Sequence, residues 1–394
     1  MEHELVFSTI LVGELQGDRM RNLLRHDMNW NTIRHFAIYH HMVPLLYDRL
    51  KNLSGEYVPG EALHELMRLY RAIAVQNLRK ADHLLHVMSL LSRHGIESLA
   101  LKGPSLAVQL YGDLSLRQFN DLDILIHEKD FFRTCELLTI EGYRQALPVN
   151  PDKKKRLVRS GNDLHFIRQG YSVELHWGVA NKMFVSPLGH EEFWQRLEKI
   201  YFLDTAVLAL PPETLLLFLC HHGANHQWCR LKWIADIVQL IKIYPDLDYF
   251  ALRDRARSIG FLRSLDLGIM LAERLGRIKL PNIVQQEINA DPVLEKLFIQ
   301  VVKKSLIEAS VPGGLSGAFF FFRTRENFTD WWVYIWNLVF IPRQMDWIVV
   351  DLPDYLYPIY YLIRPIRLLN LIFLLFLNSI FEKFRKFIDY GIDQ

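Results

Sequence analysis

"LALKGPSLAVQLYGDLSLRQFNDLDILI", running from Leu99 to Ile126, breaks the helical periodicity of the chain and sets two carboxylates inside an apolar strand pattern. Its ends read as short strands, Ile96–Leu101 and Asp121–Ile126, and its middle as a helix opened by Lys102-Gly103-Pro104-Ser105. Residues i and i+2 of a strand share a face. Leu122, Ile124 and Ile126 then point one way, and Asp121 and Asp123 the other. Two like charges about 7 Å apart repel by roughly 2 kcal/mol at an effective dielectric near 20. Something positive is expected to offset that repulsion.

The strand–turn–helix start supplies one half of a chemistry. Pro104 suits the first turn of a helix, and Gly103 permits close backbone approach to a ligand. Free N–H groups there, with Lys102 beside them, suit a phosphate. The aspartates supply another half, because Mg²⁺ takes few protein oxygens and keeps substrate phosphates as ligands. A third acidic candidate is Glu174 in "YSVELHW", where Val173 and Leu175 face one side and Glu174 and His176 the other. Each piece alone has an ordinary reading: a routine turn, a solvated strand edge, a solvent-side glutamate.

Outward from this core the pattern is helical. Residues 1–93 carry apolar positions at three- and four-residue steps (Leu63, Leu66, Met67, Tyr70, Ile73, Ala74), with a stop at Gly95. "EKDFFRTCELLTIEGY" reads as an amphipathic helix closed near Gly142, and "DLHFIRQGYSVELHW" as two strands turning at Gln169–Gly170. From Pro211 the helical period returns. The expected fold class is α+β, a small mixed-sheet core over residues 94–205. A helical region (1–93) precedes it, and a helical domain (206–330) and an aromatic, apolar tail (331–394) follow.

Composition sets bounds. With 394 residues, half of them hydrophobic and 23% charged, the chain can bury substantial cores. A formal charge of +2 creates no global field toward nucleic acid or anionic membrane. Cys135, Cys220 and Cys229 lack CxxC spacing and fit a reducing compartment. The N-terminus, "MEHELVFSTILVGELQGD", is acidic where a secretory signal is basic. A cytoplasmic location follows as the expectation. In the tail, Arg364, Pro365 and Arg367 interrupt the apolar run, leaving about 14 residues against the roughly 20 of a membrane span. No transmembrane span is expected. Packing on the protein and peripheral membrane contact are both compatible with the tail's aromatic and basic residues.

The order of these pieces adds to them. A strand–Gly–helix turn, then DxD, then an acidic residue on a later strand resembles the polymerase-beta-like nucleotidyltransferase superfamily. Leu99–Ile126 in particular resembles the signature of a bacterial nucleotidyltransferase family labelled uncharacterised. "VELHW", "LCHHGANHQWCRLKWIADIVQL" and "MDWIVVDLPDYLYPIYYLIRPIRLL" are similar to its later stretches, so that the likeness runs from about Leu99 to Leu369. The resemblance implies a nucleotidyltransferase that moves a nucleoside monophosphate from a nucleoside triphosphate to an acceptor hydroxyl and releases pyrophosphate. It further implies Mg²⁺ (two ions, with Mn²⁺ as the alternative) on Asp121, Asp123 and Glu174, and nucleotide binding by Lys102, Gly103, Ser105 and Arg117. The superfamily's Gly-Ser pair stands here as Lys102-Gly103-Pro104-Ser105, a departure that bears on how triphosphate is held. The acceptor stays open among small molecule, protein and RNA. An accessory binding protein on the same fold and a toxin-like modifier of RNA or protein are the alternatives.

Other residues keep two readings each. Arg117 neutralises triphosphate, or pairs with Asp113 or the aspartates. Asp236 is a base from the helical domain, or pairs with Arg230 or Lys232. His222 and His226 stand one helical turn apart without the glutamate of a zinc motif, so packing or substrate contact is expected of them. The basic run Lys153, Lys154, Lys155, Arg156 and Arg159 is a solvated face or a phosphate contact.

Overall fold

A computed structural model describes residues 2–7, 11, 28–52, 57–146, 163–177, 190–309 and 314–371. The basic run at 153–159 and the end of the apolar tail, 372–394, lie outside the described residues.

Seven strands form one mixed sheet: β1 (Ser98–Ala100), β2 (Leu122–Ile126), β3 (Arg144–Gln145), β4 (Asp163–Arg168), β5 (Tyr171–His176), β6 (Glu198–Phe202) and β7 (Thr205–Ala209). Their spatial order is β3-β4-β5-β2-β1-β7-β6. β2 lies at the centre, antiparallel to β1 and parallel to β5. The turn joining β4 to β5 falls at Gln169 and Gly170, both at positive φ, as a tight hairpin requires. The sheet extends through Ala209, so β7 carries it past residue 205, where the sequence placed the edge of the α/β core.

The helices that bear on the site are α1 (Gly60–Arg93), α2 (Pro104–Tyr111), α3 (Phe131–Ile140), α4 (Pro212–Asn225), α5 (Leu231–Ile243) and α6 (Leu262–Gly276). Two of them stop where glycine predicts. After α1, Gly95 takes φ +69 while Ile96 N–H donates to Leu91 O and Gly95 N–H to Ser92 O. Gly142 closes α3 in the same way through Tyr143 and Leu138. Both are Schellman closures, which satisfy carbonyls that a helix end otherwise leaves open.

Two cores lie on the two faces of the sheet. Leu122, Ile124, Ile126, Val173 and Leu175 pack with Ala81, Leu84 and Leu91 of α1 and Phe131 and Leu138 of α3. Leu99, Leu101 and Leu125 point the other way, into a larger core built by α4, α5 and α6. The strand alternation read from "DLDILI" is therefore what sends Asp123, between Ile124 and Leu122, toward the helical side. All five β2 residues are buried because both faces are covered.

The tail as far as Leu371 joins the first core. Trp347 and Tyr360 are fully buried there, with Leu352, Tyr357 and Ile363 beside them. The arginines that interrupt the apolar run close on one carboxylate: Arg364 Nη1 donates to Asp346 Oδ2 at 3.0 Å and Arg367 Nε to Asp346 Oδ1 at 2.6 Å. Trp332, Trp336, Leu362, Ile366 and Leu369 remain exposed. Among the described residues no helix is long and apolar enough to cross a membrane.

Candidate active site

The site grows from the central strand. Asp123 is almost wholly buried, and its Oδ1 receives Lys102 Nζ at 3.0 Å and His176 Nε2 at 3.1 Å. Lys102 is the cation that the like-charge repulsion of the sequence calls for. Burial alone would raise the Asp123 carboxyl, but the Lys102 ammonium and His176 hold it well below the usual carboxylate range. The carboxylate is thus ionised at neutral pH in a place that water reaches little.

Register builds the rest. Asp123 lies opposite Glu174, and Glu174 lies opposite His165 on β4. One row further, Leu125 lies opposite His176, which lies opposite Asp163. Three neighbouring strands thereby set Asp123, Glu174, His176, His165 and Asp163 on one sheet face. His165 Nε2 reaches Glu174 Oε1 at 3.2 Å and Asp163 Oδ2 at 3.4 Å. Hydrogen bonds to Asp163 and then to Glu174 raise His165 from 6.5 to about 10 and so hold it as an imidazolium.

Possession of oxygen donors decides what the face can hold. Ligand atoms of Asp123, Glu174 and His176 lie within 4.8 Å of one another, as do those of Asp163, His165 and Glu174. Two carboxylates in strand register fit a hard divalent cation that keeps open positions for substrate oxygens. Imidazole is not what such a cation prefers. His176, bonded to Asp123, serves better as the group that orients the carboxylate. Asp121 stands just ahead of β2, outside both clusters. Its charge acts on Lys80, Lys232 and His226 instead.

The Lys102–Ser105 turn is built as expected and used differently in part. Gly103 is the N-cap of α2 at φ 70, ψ −129, with Pro104 in the first turn. An added Cβ would sit 3.3 Å from the Asp121 carbonyl oxygen, so the turn is pressed against the DxD segment. Gly103→Ala is expected to destabilise the chain by about 1–3 kcal/mol, the range for a side chain forced into such a backbone region. A lower urea midpoint with unchanged slope is the measurement. Ser105 is buried, and its hydroxyl donates to the carbonyls of Ala100 and Lys102, both at 3.1 Å. It ties strand to helix, and Lys102 is the side chain that reaches the carboxylates.

Arg117 has neither of the carboxylate partners the sequence offered it. Its Nε and Nη2 donate to Oδ1 and Oδ2 of Asp236, each at 2.8 Å, with both side chains buried. Tyr111 OH donates to the same Asp236 Oδ1 at 3.0 Å. The expected pairing of Asp236 with Arg230 or Lys232 is thus corrected: α5 is tied to the α/β core by Arg117. The reason is geometric, since Tyr111 ends α2 and α5 packs on it. His222 meets both His226 and Trp233 edge to face, His226 meets Trp233 at a tilt, and burial lowers both histidines below the usual value. They join no cluster of ligand atoms among the described residues.

Support from α1 was not read in the sequence. Asn77, buried, donates through Nδ2 to the carbonyls of Leu114 and Arg117, and Lys80 Nζ donates to that of Phe119 at 2.6 Å. These bonds hold the segment that delivers the DxD. Asp163 and His165 were also missed. The signal was present, as "DLHFIR" buries Leu164 and Phe166 and turns Asp163 and His165 to the other face.

A family model described as an uncharacterised nucleotidyltransferase matches residues 26–277, well over half of the chain. The chain belongs to this family. The matched span takes in α1, every strand and α4–α6, so that this nucleotidyltransferase has its carboxylate face and its helical region inside one family unit. Among solved structures it is similar to the antibiotic-resistance factor ANT(2″)-Ia, at 11% identity over 46% of this chain and 93% of that one, with a TM-score of 0.35. It is also similar to an antigenic nucleotidyltransferase-like protein from Paracoccidioides brasiliensis, at 18% identity over 52% of this chain and 91% of that one, with a TM-score of 0.28. Likeness at that level bears on neither substrate nor mechanism. No curated protein matches the sequence.

Proposed function

We propose that this nucleotidyltransferase moves a nucleoside monophosphate from a nucleoside triphosphate to an acceptor hydroxyl, with pyrophosphate as the leaving group. The observation that carries the reading is the buried Asp123 side chain in register with Glu174, beside a lysine on a glycine turn. Asp123 and Glu174 would hold Mg²⁺ or Mn²⁺, and Asp121 stands close enough in the chain to add a ligand when a second ion binds. A divalent cation held there supplies charge stabilisation at the attacking and leaving oxygens.

The residues of the chain do the remaining work. Lys102, on the turn between β1 and α2, offers its ammonium to a phosphate once a cation takes its place on Asp123. Gly103 lets the backbone of the turn approach that phosphate. His176 keeps Asp123 oriented, and His165 keeps Glu174 oriented and its charge offset. The acceptor oxygen forms a bond to the α-phosphorus as the bond to the bridging oxygen breaks. The electron pair leaves with pyrophosphate, and the hydroxyl proton is released. Arg117 acts at one remove, by fixing α5 against the core through Asp236.

The test is incubation of the purified chain and Mg²⁺ with α-³²P-labelled nucleoside triphosphates and a cell extract. Label is expected on one acceptor class, separable as small molecule, protein or RNA, together with released pyrophosphate. No transfer from any of the four nucleotides, with no shift in melting temperature on adding nucleotide and Mg²⁺, would overturn the reading.

A further inference from the structure

Between α4 and α5 the chain makes a costly turn. Gln227 and Trp228 both adopt left-handed backbone, at φ 52 and φ 54, and neither is glycine. Such residues persist only where the surroundings over-determine them, and they gather at ligand sites. Here the surroundings are plain: the Trp228 ring is fully buried, lies where a Cβ on Gly223 would have to be, and packs closely on Gly268. The turn delivers Arg230 as the residue ahead of α5 and Lys232 in its first turn. His40 fixes the start of that helix, accepting the Leu231 N–H at Nδ1 (3.2 Å) and donating from Nε2 to Leu306 O (3.0 Å).

What the turn delivers is unpaired positive charge. Among the described residues no carboxylate pairs with Arg230 or Lys232. The Arg230 guanidinium lies 3.8 Å over the Tyr39 ring, yet its Nη1 is buried without a hydrogen-bond partner. His41, itself left-handed at φ 59, has a buried Nδ1 in the same condition. Burial, followed by the charge of Arg117, lowers Lys232 to about 8, with Lys102 adding to it and Asp236 and Asp121 opposing. Burial and then Lys232, Arg230 and Arg117 lower His41 to about 3. Arg230 and Lys232 thus both act on His41, and Lys232 in turn feels Lys102 and Asp121 of the carboxylate site. Donors left unmade at such a place are expensive unless a ligand takes them.

We infer that Arg230 and Lys232, backed by His41, bind the β- and γ-phosphates of the nucleotide, so that the helical region holds the leaving pyrophosphate opposite the Asp123–Glu174 face. The inference rests on the nucleotidyl-transfer reading and supplies what Lys102-Gly103-Pro104-Ser105 lacks, a second cationic wall for the triphosphate. A phosphate on the acceptor shares this chemistry, and competition separates the two sources.

The experiment is a calorimetric titration of the full chain with inorganic tripolyphosphate in excess chelator, repeated with a non-hydrolysable nucleoside triphosphate analogue and Mg²⁺. Tripolyphosphate is expected to bind and to compete with the analogue. Arg230→Gln and Lys232→Gln are each expected to weaken both ligands by roughly 10–100-fold, as loss of a charge-assisted hydrogen bond does. Lys232→Gln is expected to keep the melting temperature of the parent, since among the described residues its ammonium makes no close ion pair to lose. Tripolyphosphate that fails to bind, binds both variants as it binds the parent, or binds without displacing the analogue overturns the inference. Binding that depends on the two residues, without nucleotide transfer to any acceptor, leaves the anion site standing and removes the transfer reading. Transfer with an unchanged KM for nucleotide in Lys232→Gln does the reverse.

Discussion

Asp123→Asn is expected to lower nucleotide transfer by about 10³-fold or more, the loss that goes with removing several kcal/mol of metal-assisted stabilisation at the reacting oxygens. The side chain keeps its size and one oxygen, so Lys102 and His176 each retain an acceptor. The folded state should survive, with near-parental circular dichroism and a cooperative melt. What disappears is the charge. A divalent cation competing with the Lys102 ammonium for that position then has no anion to gain, and the Mg²⁺-dependent part of the nucleotide-induced melting shift is expected to vanish. The measurement pairs the initial rate of labelled transfer with the melting shift at a saturating Mg²⁺ concentration. A variant that transfers within tenfold of the parent would show that the buried carboxylate does not bind the ion. Asp121→Asn, at a position outside the Asp123–Glu174–His176 cluster, is expected to give a smaller loss.

Much of this was legible because strand alternation and glycine geometry are local. "DLDILI" buries its leucine and isoleucines on one side and Asp123 on the other, as period two requires. Gly95, Gly103, Gly142 and Gly170 all stand at positive φ where the sequence placed a turn or a stop. Strands β6 and β7 escaped notice for a related reason. They form an edge hairpin whose outer residues are largely exposed, so they carry little alternation to read, although β7 completes the sheet beside β1. Partner choice was illegible. Nothing in "DLSLRQFNDLD" says that Arg117 will cross to Asp236, 119 positions away, past nearer acids. Long-range ion pairs follow from how helices pack. Tertiary contact also decided that Asn77 and Lys80, ordinary polar residues of a long helix, would hold the loop ahead of β2.

The pair between Arg117 and Asp236 gives the largest expected effect on stability. Asp236 is wholly buried and Arg117 nearly so, and Asp236 keeps the guanidinium charged against a burial that alone would lower its pKa. Asp236→Ala removes the anion and leaves an uncompensated guanidinium in the core, with the Tyr111 hydroxyl deprived of its acceptor. The expected loss is about 3–5 kcal/mol, a fall in Tm on the order of 5–10 °C for a domain of this kind. Replacing both partners at once, Arg117→Met with Asp236→Leu, is expected to recover most of that loss, because the desolvation of both charges is removed with their attraction. Urea melts of the two single variants and the double variant complete the cycle. Transfer activity in the double variant then separates two roles for the pair. If the pair only stabilises, the refolded double variant transfers nucleotide at the parental rate. If the pair also sets where α5 lies, the double variant folds well and yet has a raised KM for nucleotide. Arg230 and Lys232 ride on the start of that helix, and one bidentate pair of hydrogen bonds, each at 2.8 Å, fixes its register more sharply than apolar side chains do. The second outcome is the one expected from this geometry.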